Sequence, residues 1–242
     1  MWWLFIYDNK KRGMVLDNIS IILASASPRR SEIMNQVNLR FEVIPSDCNE
    51  VITSNIPEKI VEELCYQKAK DVFDKVDKEK VIVIGADTVV AHNGKVLGKP
   101  KSKDEAYAMI DNIQGDIHSV YTGVSMITKV RGDVKDKIDK KILELSKENQ
   151  KYDDIYVGVK KGDTIIKVTF HVKTDVCVRK MTNKQISDYV STKEPYDKAG
   201  GYGIQGLFAI NINSINGDYY NVVGLPISKL NEKLECFYEL LR

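Results

Sequence analysis

The chain of 242 residues has no paired cysteine motif, no excess of charge of either sign, and no opening apolar run long enough to cross a bilayer. Its four cysteines, Cys48, Cys65, Cys177 and Cys236, form no C-x-x-C pair. That argues against a zinc site or a redox pair and for a reducing compartment, the cytoplasm. Lys and Arg number 36 against 34 Asp and Glu, a formal charge of +2. So even a balance argues against duplex nucleic acid or a membrane surface as the main partner, while a small anionic substrate needs only a local basic site. The apolar opening Met1–Tyr7 is too short to span a membrane, and basic residues follow it rather than precede it, the wrong order for a secretory signal. Residues 1–18 are expected to be an extension that packs on the surface or is poorly ordered. No internal repeat is visible. A 43% hydrophobic content is ordinary for a soluble globular chain with a sizeable core.

What is present is an alternation of strand and helix signals. Ile19–Ala24 has the pattern of a buried strand, Phe41–Ile44 of a second, and Val81–Val90 of a strand covered on both faces. A long helix is expected from Pro57 to about Val76. His92-Asn93-Gly94-Lys95 is a hairpin signal. Ser102-Lys103-Asp104-Glu105 is a capping box for a helix through Ile113 that Gly115 stops, and Thr182-Asn183-Lys184-Gln185 is another for a short helix. Val120–Thr128 is a further strand. A hairpin turns at Lys161-Gly162-Asp163 into a long strand with Ile166, Val168, Phe170, Val172, Val176 and Val178 on one face. Leu207–Ile212 is expected to be a strand, Asn216-Gly217 a turn, and Pro226 the first residue of a last amphipathic helix. Residues about 129–154 are dominated by Lys and Asp, with Ile138, Ile142 and Leu145 at helical spacing: a charged insertion on the surface. The mixture predicts an α/β or α+β domain over 19–242 with a mixed sheet.

Certain residues sit where bare secondary structure would not want them. Ser27 suits an N-cap and Pro28 the first helical turn. That turn has a positive field and should hold acids, yet it carries Arg29 and Arg30. Either both splay into solvent, or an anion such as a phosphate lies between them. On the long helix, Ile60, Leu64, Lys68 and Val72 form one row beside Val61, Cys65, Ala69 and Phe73. Lys68 thus stands in the apolar face, where it snorkels outward or points its charge at something buried. Asp87 interrupts the most apolar strand and needs a partner, a metal or a proton: a salt bridge, with Lys68 as a candidate, or a general base or metal ligand. Gly85 just before it would let a ligand approach the backbone. Lys99 lies in a tight loop. The glycine-rich run Asp197–Gly206 is either a flexible connection or a backbone that wraps a ligand, with Gln205 able to read a base edge. One explanation covers all of them: Arg29, Arg30, Lys68 and Lys99 hold a polyphosphate, and Glu50 and Asp87 hold a divalent metal and activate water.

These segments resemble the Maf family of nucleoside triphosphate pyrophosphatases. The resemblance rests on Leu23-Ala24-Ser25-Ala26-Ser27-Pro28-Arg29-Arg30, Gly85-Ala86-Asp87-Thr88, Leu97-Gly98-Lys99-Pro100, Tyr121-Thr122-Gly123, Asp197–Gly206 and Val222-Val223-Gly224-Leu225-Pro226, in family order. It implies an elongated α/β architecture like the inosine triphosphate pyrophosphatases, with a twisted mixed sheet between two lobes and the site in the cleft. It implies cleavage between the α and β phosphates with a divalent metal, Mg²⁺ or Mn²⁺, and a possible homodimer. By resemblance Asp87 is the proton acceptor, and Ser25, Arg30, Glu50, Lys68 and Lys99 are further site positions. Arg29, Thr88 and Gln205 match the branch acting on dTTP and UTP; the 7-methyl-GTP branch typically carries a bulky aromatic, a Gln and a Glu there. The alternatives are that second branch, or a nucleotide-sensing regulator of septum formation with little catalysis.

Overall fold

The computed structural model describes residues 19–242 apart from 77, 148 and 149, so the expected extension 1–18 lies outside the described residues. The chain runs β1 (Ser20–Leu23), α1 (Pro28–Gln36), β2 (Glu42–Val43), α2 (Pro57–Lys75), β3 (Val81–His92), β4 (Lys95–Leu97), α3 (Lys103–Ile113), β5 (Ile117–Val130) and α4 (Lys135–Ser146). It continues β6 (Tyr156–Lys160), β7 (Asp163–Val178), α5 (Asn183–Val190), β8 (Ile212–Asn216), α6 (Tyr219–Val223) and α7 (Ile227–Leu241). The sheet is mixed, in the order β2-β1-β3-β5-β7-β6, with β4 added to β3 and β8 to β7. β1 runs parallel to both β2 and β3, and the remaining pairs are antiparallel.

The long strands carry the architecture. β5 covers one edge of β3 from Ile82 to Ala91. The other edge is shared: β1 pairs with Val81–Ile84 and β4 with Val90–His92. Between them, Gly85–Val89 meet no strand on that edge among the described residues, so the sheet forks there. Apolar side chains gather on either side of the fork. Ile82, Ile84, Met126 and Val168 pack under α7 through Leu230, Leu234 and Phe237. Ile110 of α3, Ile186 of α5, Tyr202 and Phe208 form a separate cluster beyond it. These clusters are the two lobes.

Several expectations need correction. Leu207–Ile212 is not a strand. Leu207–Asn211 is a 3-10 turn, and the strand begins at Ile212. The Glu194 carboxylate takes the backbone N–H groups of Leu207 at 2.6 Å and Phe208 at 3.2 Å, which a ladder would need. The capping box at Ser102 is half formed: Ser102 accepts from the Glu105 N–H, but Glu105 reaches the Lys101 N–H instead. At Thr182 both halves form. Pro226 precedes α7 as its cap rather than opening it. Ser27 holds the N-cap position of α1 without a side-chain cap. The charged segment forms α4 and a 3-10 turn, Gln150–Tyr152, with Ile138 and Tyr152 buried in the core under α7.

Candidate active site

The cleft at the fork begins with how closely α2 lies on the sheet. A Cβ on Gly85 would stand 2.3 Å from the Cys65 carbonyl oxygen, and one on Gly123 would stand 2.4 Å from that of Val61. Gly85 therefore serves helix packing and not, as the sequence suggested, the approach of a ligand. The two glycines let α2 settle onto β3 and β5, and this brings Lys68 to Asp87.

Lys68 Nζ lies 2.5 Å from Asp87 Oδ1 and 2.9 Å from Glu50 Oε1. Burial works against the lysine charge, but attraction and hydrogen bonding to Asp87, then to Glu50, overcome it and raise its pKa above the ordinary value. The lysine on the apolar face thus points at a part-buried carboxylate and does not snorkel. Glu50 is delivered by a loop that a polar row of α2 grips. Glu63 accepts from Thr53, Gln67 exchanges two hydrogen bonds with the backbone of Val51, Asp71 accepts from Ser46 and the Asp47 N–H, and Lys75 pairs with Asp47. This i, i+4 row was missed in the sequence.

On the other lip, Arg30 is buried and almost fully committed. Its Nε donates to the Gly224 carbonyl at 2.9 Å, Nη1 to Ser25 Oγ at 2.9 Å and to the Ala86 carbonyl at 2.8 Å, and Nη2 to Thr88 Oγ1 at 3.2 Å. Burial lowers its pKa, Asp87 opposes that, and Arg29 adds to it. Of its five N–H donors one is left for a ligand. Arg30 thus bonds the residues on both sides of Asp87 and ties the β1–α1 loop, β3 and the α6–α7 junction into one frame. Ser25 Oγ also accepts from the Ser27 N–H at 3.3 Å, holding the start of α1 where Ser27 itself makes no cap. Arg29 is partly exposed, 3.8 Å from Asp197. Lys99 is exposed at the end of the β4 loop and has no ion-pair partner among the described residues.

The glycine-rich run is a fixed structure. Gly200 and Gly201 take left-handed φ values of 69° and 73°, and the Gly200 N–H bonds the Gly98 carbonyl at 3.0 Å, joining the run to the Lys99 loop. Tyr202 Oη lies 2.6 Å from Nε2 of the buried His118. Glu194 braces the turn after Gln205, and a Cβ on Gly206 would collide with its carboxylate at 2.3 Å. Glu194, Thr122 and Asn221 were not assigned to the site from the sequence; Thr122 lay in a quoted motif, but nothing local showed what it would touch.

Together these elements enclose a cleft of about 720 Å³. Its lining includes all of Ser25, Arg29, Arg30, Glu50, Lys68, Asp87, Thr88, Lys99 and Gln205. Its volume lies in the range of small-ligand pockets. Cations stand on opposite lips, and a carboxylate pair shares an ammonium on its wall. Such a cleft can neutralise a polyanion and take up a proton.

A model of the Maf-like protein family matches residues 20–237. The dTTP/UTP pyrophosphatase of Alkaliphilus metalliredigens is 40% identical over 221 residues, which cover 91% of this chain and 97% of that protein. The dTTP/UTP pyrophosphatase of Alkaliphilus oremlandii is 42% identical over 222 residues, with 91% and 97% covered. That of Thermosipho melanesiensis is 41% identical over 212 residues, with 88% and 94% covered. With the family pattern running from β1 into α7 and such identity across nearly the full length of these relatives, the chain belongs to the Maf-like family.

Proposed function

We propose that this protein hydrolyses dTTP and UTP to the nucleoside monophosphate and diphosphate, removing non-standard pyrimidine nucleotides from the pool. The observation that carries this reading is the Asp87 carboxylate, set in the stretch of β3 that is paired on one edge alone and held by Lys68 in a cleft rimmed by Arg29 and Lys99. Water attacks the α-phosphorus, the bond to the bridging oxygen breaks, and the diphosphate leaves with that oxygen. Asp87 takes the proton that the attacking water loses. Lys68 lies against the same carboxylate and stabilises charge growing on the α-phosphate. Arg29, Lys99 and the free N–H of Arg30 hold phosphate oxygens. Gln205, on the braced turn, faces the cleft as the base-reading group.

Glu50 and Asp87 fit a divalent cation, Mg²⁺ or Mn²⁺. Both are hard oxygen donors, and one ammonium already draws them together. Among the described residues no group of three or more His, Cys, Asp or Glu forms a metal cage. A Mg²⁺ site built from one or two carboxylates and completed by substrate phosphates needs no more than that. When bound, the ion supplies charge neutralisation along the phosphate chain.

The test is diphosphate release at catalytic enzyme concentration, with dTTP, UTP and 7-methyl-GTP compared side by side. Preference for dTTP and UTP is expected. Preference for 7-methyl-GTP would move the protein to the other branch, and the absence of turnover with any of them would favour a nucleotide sensor. Asp87→Asn should lower kcat by roughly 10²–10⁴-fold, and near wild-type turnover in that variant would remove Asp87 as the base. The resemblance also carries a homodimer in the cytoplasm. All four cysteines are free, which fits a reducing compartment, and no helix of the described residues is long and apolar enough to cross a membrane. Light scattering on the purified chain tests the dimer.

A further inference from the structure

Alternate residues of two paired strands form one row at the floor of the cleft. Thr88 and Val90 of β3 stand opposite Thr122 and Val120 of β5. The two threonine hydroxyls lie 2.9 Å apart, and Thr122 Oγ1 is also 2.9 Å from the Asn221 carbonyl oxygen. His118 comes next on the same face of β5, two positions before Val120. The glycine-rich run lies along this row. A Cβ on Gly200 would stand 3.0 Å from Val90 Cγ1. Tyr202 meets His118 edge to face, with ring centroids 5.2 Å apart at 84°, and packs on Phe208 at 4.9 Å.

His118 is 1% exposed, and its Nδ1 has no partner among the described residues. A neutral imidazole carries one N–H and one lone pair, so one of the two is buried unmet. That disfavours folding. What the ring does is hold the Tyr202 hydroxyl, 2.6 Å from Nε2. The other ties of the run lead away from β5. The Gly200 N–H goes to the Gly98 carbonyl, the Gly201 carbonyl takes the Tyr189 hydroxyl, and Glu194 takes the N–H groups of Leu207 and Phe208 just past the run. The His118 bond fastens the middle of the run to the sheet. Glycines flank Tyr202 on both sides, so the local backbone has little preference of its own. Gly203, Ile204, Gln205 and Gly206 follow directly, and all four line the cleft.

We propose that His118 is a positioning residue for nucleotide binding: through the Tyr202 hydroxyl it anchors the glycine-rich run to β5 and holds the cleft wall formed by Gly203–Gly206. This deepens the proposed function and rests on it. The wall touches the ligand away from the reacting phosphorus, so its loss weakens binding and leaves the chemical step in place.

The experiment compares the wild type with Tyr202→Phe, His118→Phe, His118→Gln and the double variant Tyr202→Phe/His118→Phe, well below their melting temperatures. Tyr202→Phe deletes one hydroxyl and keeps the ring. It should raise KM for UTP by roughly 5-fold, the equivalent of one net hydrogen bond, with kcat within about 2-fold of wild type. The double variant should be no worse than either single one, since both break the same bond. His118→Gln keeps an amide nitrogen near the place of Nε2 and should bring KM back toward wild type, which a merely space-filling role would not do. Hydrogen exchange read by mass spectrometry reports the wall without any turnover. Amides of residues 203–206 should exchange faster in Tyr202→Phe and His118→Phe, while those of β3 and β5 stay protected. Both readouts must move: an unchanged KM, or unchanged exchange, in Tyr202→Phe overturns the inference. If the wild type hydrolyses no nucleotide, the proposed function fails. Exchange and the calorimetric affinity for UTP then decide this inference separately, with faster exchange and weaker binding in Tyr202→Phe supporting it and any other result overturning it.

Discussion

Arg30 shows how a side chain read as a ligand clamp can first be a structural one. Its guanidinium satisfies two carbonyls and two hydroxyls contributed by the β1–α1 loop, β3 and the turn before α7. Arg30→Met would leave those buried acceptors without donors, at an expected loss of about 3 kcal/mol or more in urea unfolding. Arg30→Lys keeps the charge without the planar fork and should recover only part of it. His118 is another buried polar group with a measurable consequence. Burial, with the His92 charge adding to it and Asp175 and Asp116 opposing, lowers its pKa from 6.5 to about 4. Between those values the unfolded chain takes up a proton that the folded one refuses. The His118 contribution is therefore complete above pH 6.5, is lost as pH falls toward about 4, and changes no further below that. At about 1.36 kcal/mol per pH unit the gap is worth on the order of 3 kcal/mol. The difference in stability between wild type and His118→Phe, followed by urea melts from pH 7 to pH 4, should shrink by that order. A difference that stays constant over this range would show that the histidine is not held neutral.

Helix α2 does two jobs with two different rows. Its apolar row, with Lys68 in it, was legible because a charge among Ile60, Leu64 and Val72 violates the pattern of a buried face. Its other row, Glu63, Gln67, Asp71 and Lys75, was not, because a polar row on a helix looks the same whether it meets water or grips a loop. The strand expected at Leu207–Ile212 failed for a related reason. The N–H groups that would have joined a ladder are taken by Glu194, a residue 13 positions earlier, and no local propensity reports a capture at that distance in sequence. The short approach of α2 to the sheet can be tested at Gly85. Gly85→Ala places a methyl 2.3 Å from the Cys65 carbonyl and must push the helix outward. It should cost roughly 1–3 kcal/mol in stability. By moving Lys68 away from Asp87 it should also lower kcat far more than that loss explains when assayed well below the melting temperature. Gln67→Ala should act differently. It releases the loop carrying Glu50 and leaves Lys68 in place, so a rise in KM for the metal–nucleotide complex is expected with little change in melting temperature.

The charged segment after β5 poses the question of whether it is an appendage or part of the lobe. Composition suggested a solvated insertion, and about half of its described residues are exposed. Its attachment is nevertheless internal. Lys233 of α7, with a side chain only 2% exposed, donates to Asp154 at 2.5 Å and to the Lys151 carbonyl at 2.6 Å. Tyr152 is buried and bonds Glu239, Lys141 reaches the Glu239 carbonyl at 2.6 Å, and Ile138 enters the same cluster as Leu234 and Phe237. The segment is therefore stapled to the last helix, which itself closes the lobe holding β1 and the first half of β3. A buried ammonium makes the two ends of this staple unequal. Asp154→Ala leaves Lys233 charged with only the distant Glu232 carboxylate at 4.0 Å, whereas Lys233→Met removes the charge and keeps the volume. Asp154→Ala should cost roughly 3 kcal/mol, the low end for a broken buried pair because Asp154 is itself part-exposed, and Lys233→Met should be near neutral or stabilising. Because the staple is continuous with the main core, Asp154→Ala should also lower the single unfolding midpoint seen by tryptophan-independent probes such as far-ultraviolet dichroism. A separate early transition confined to the segment, with the main midpoint unmoved, would make it an appendage after all.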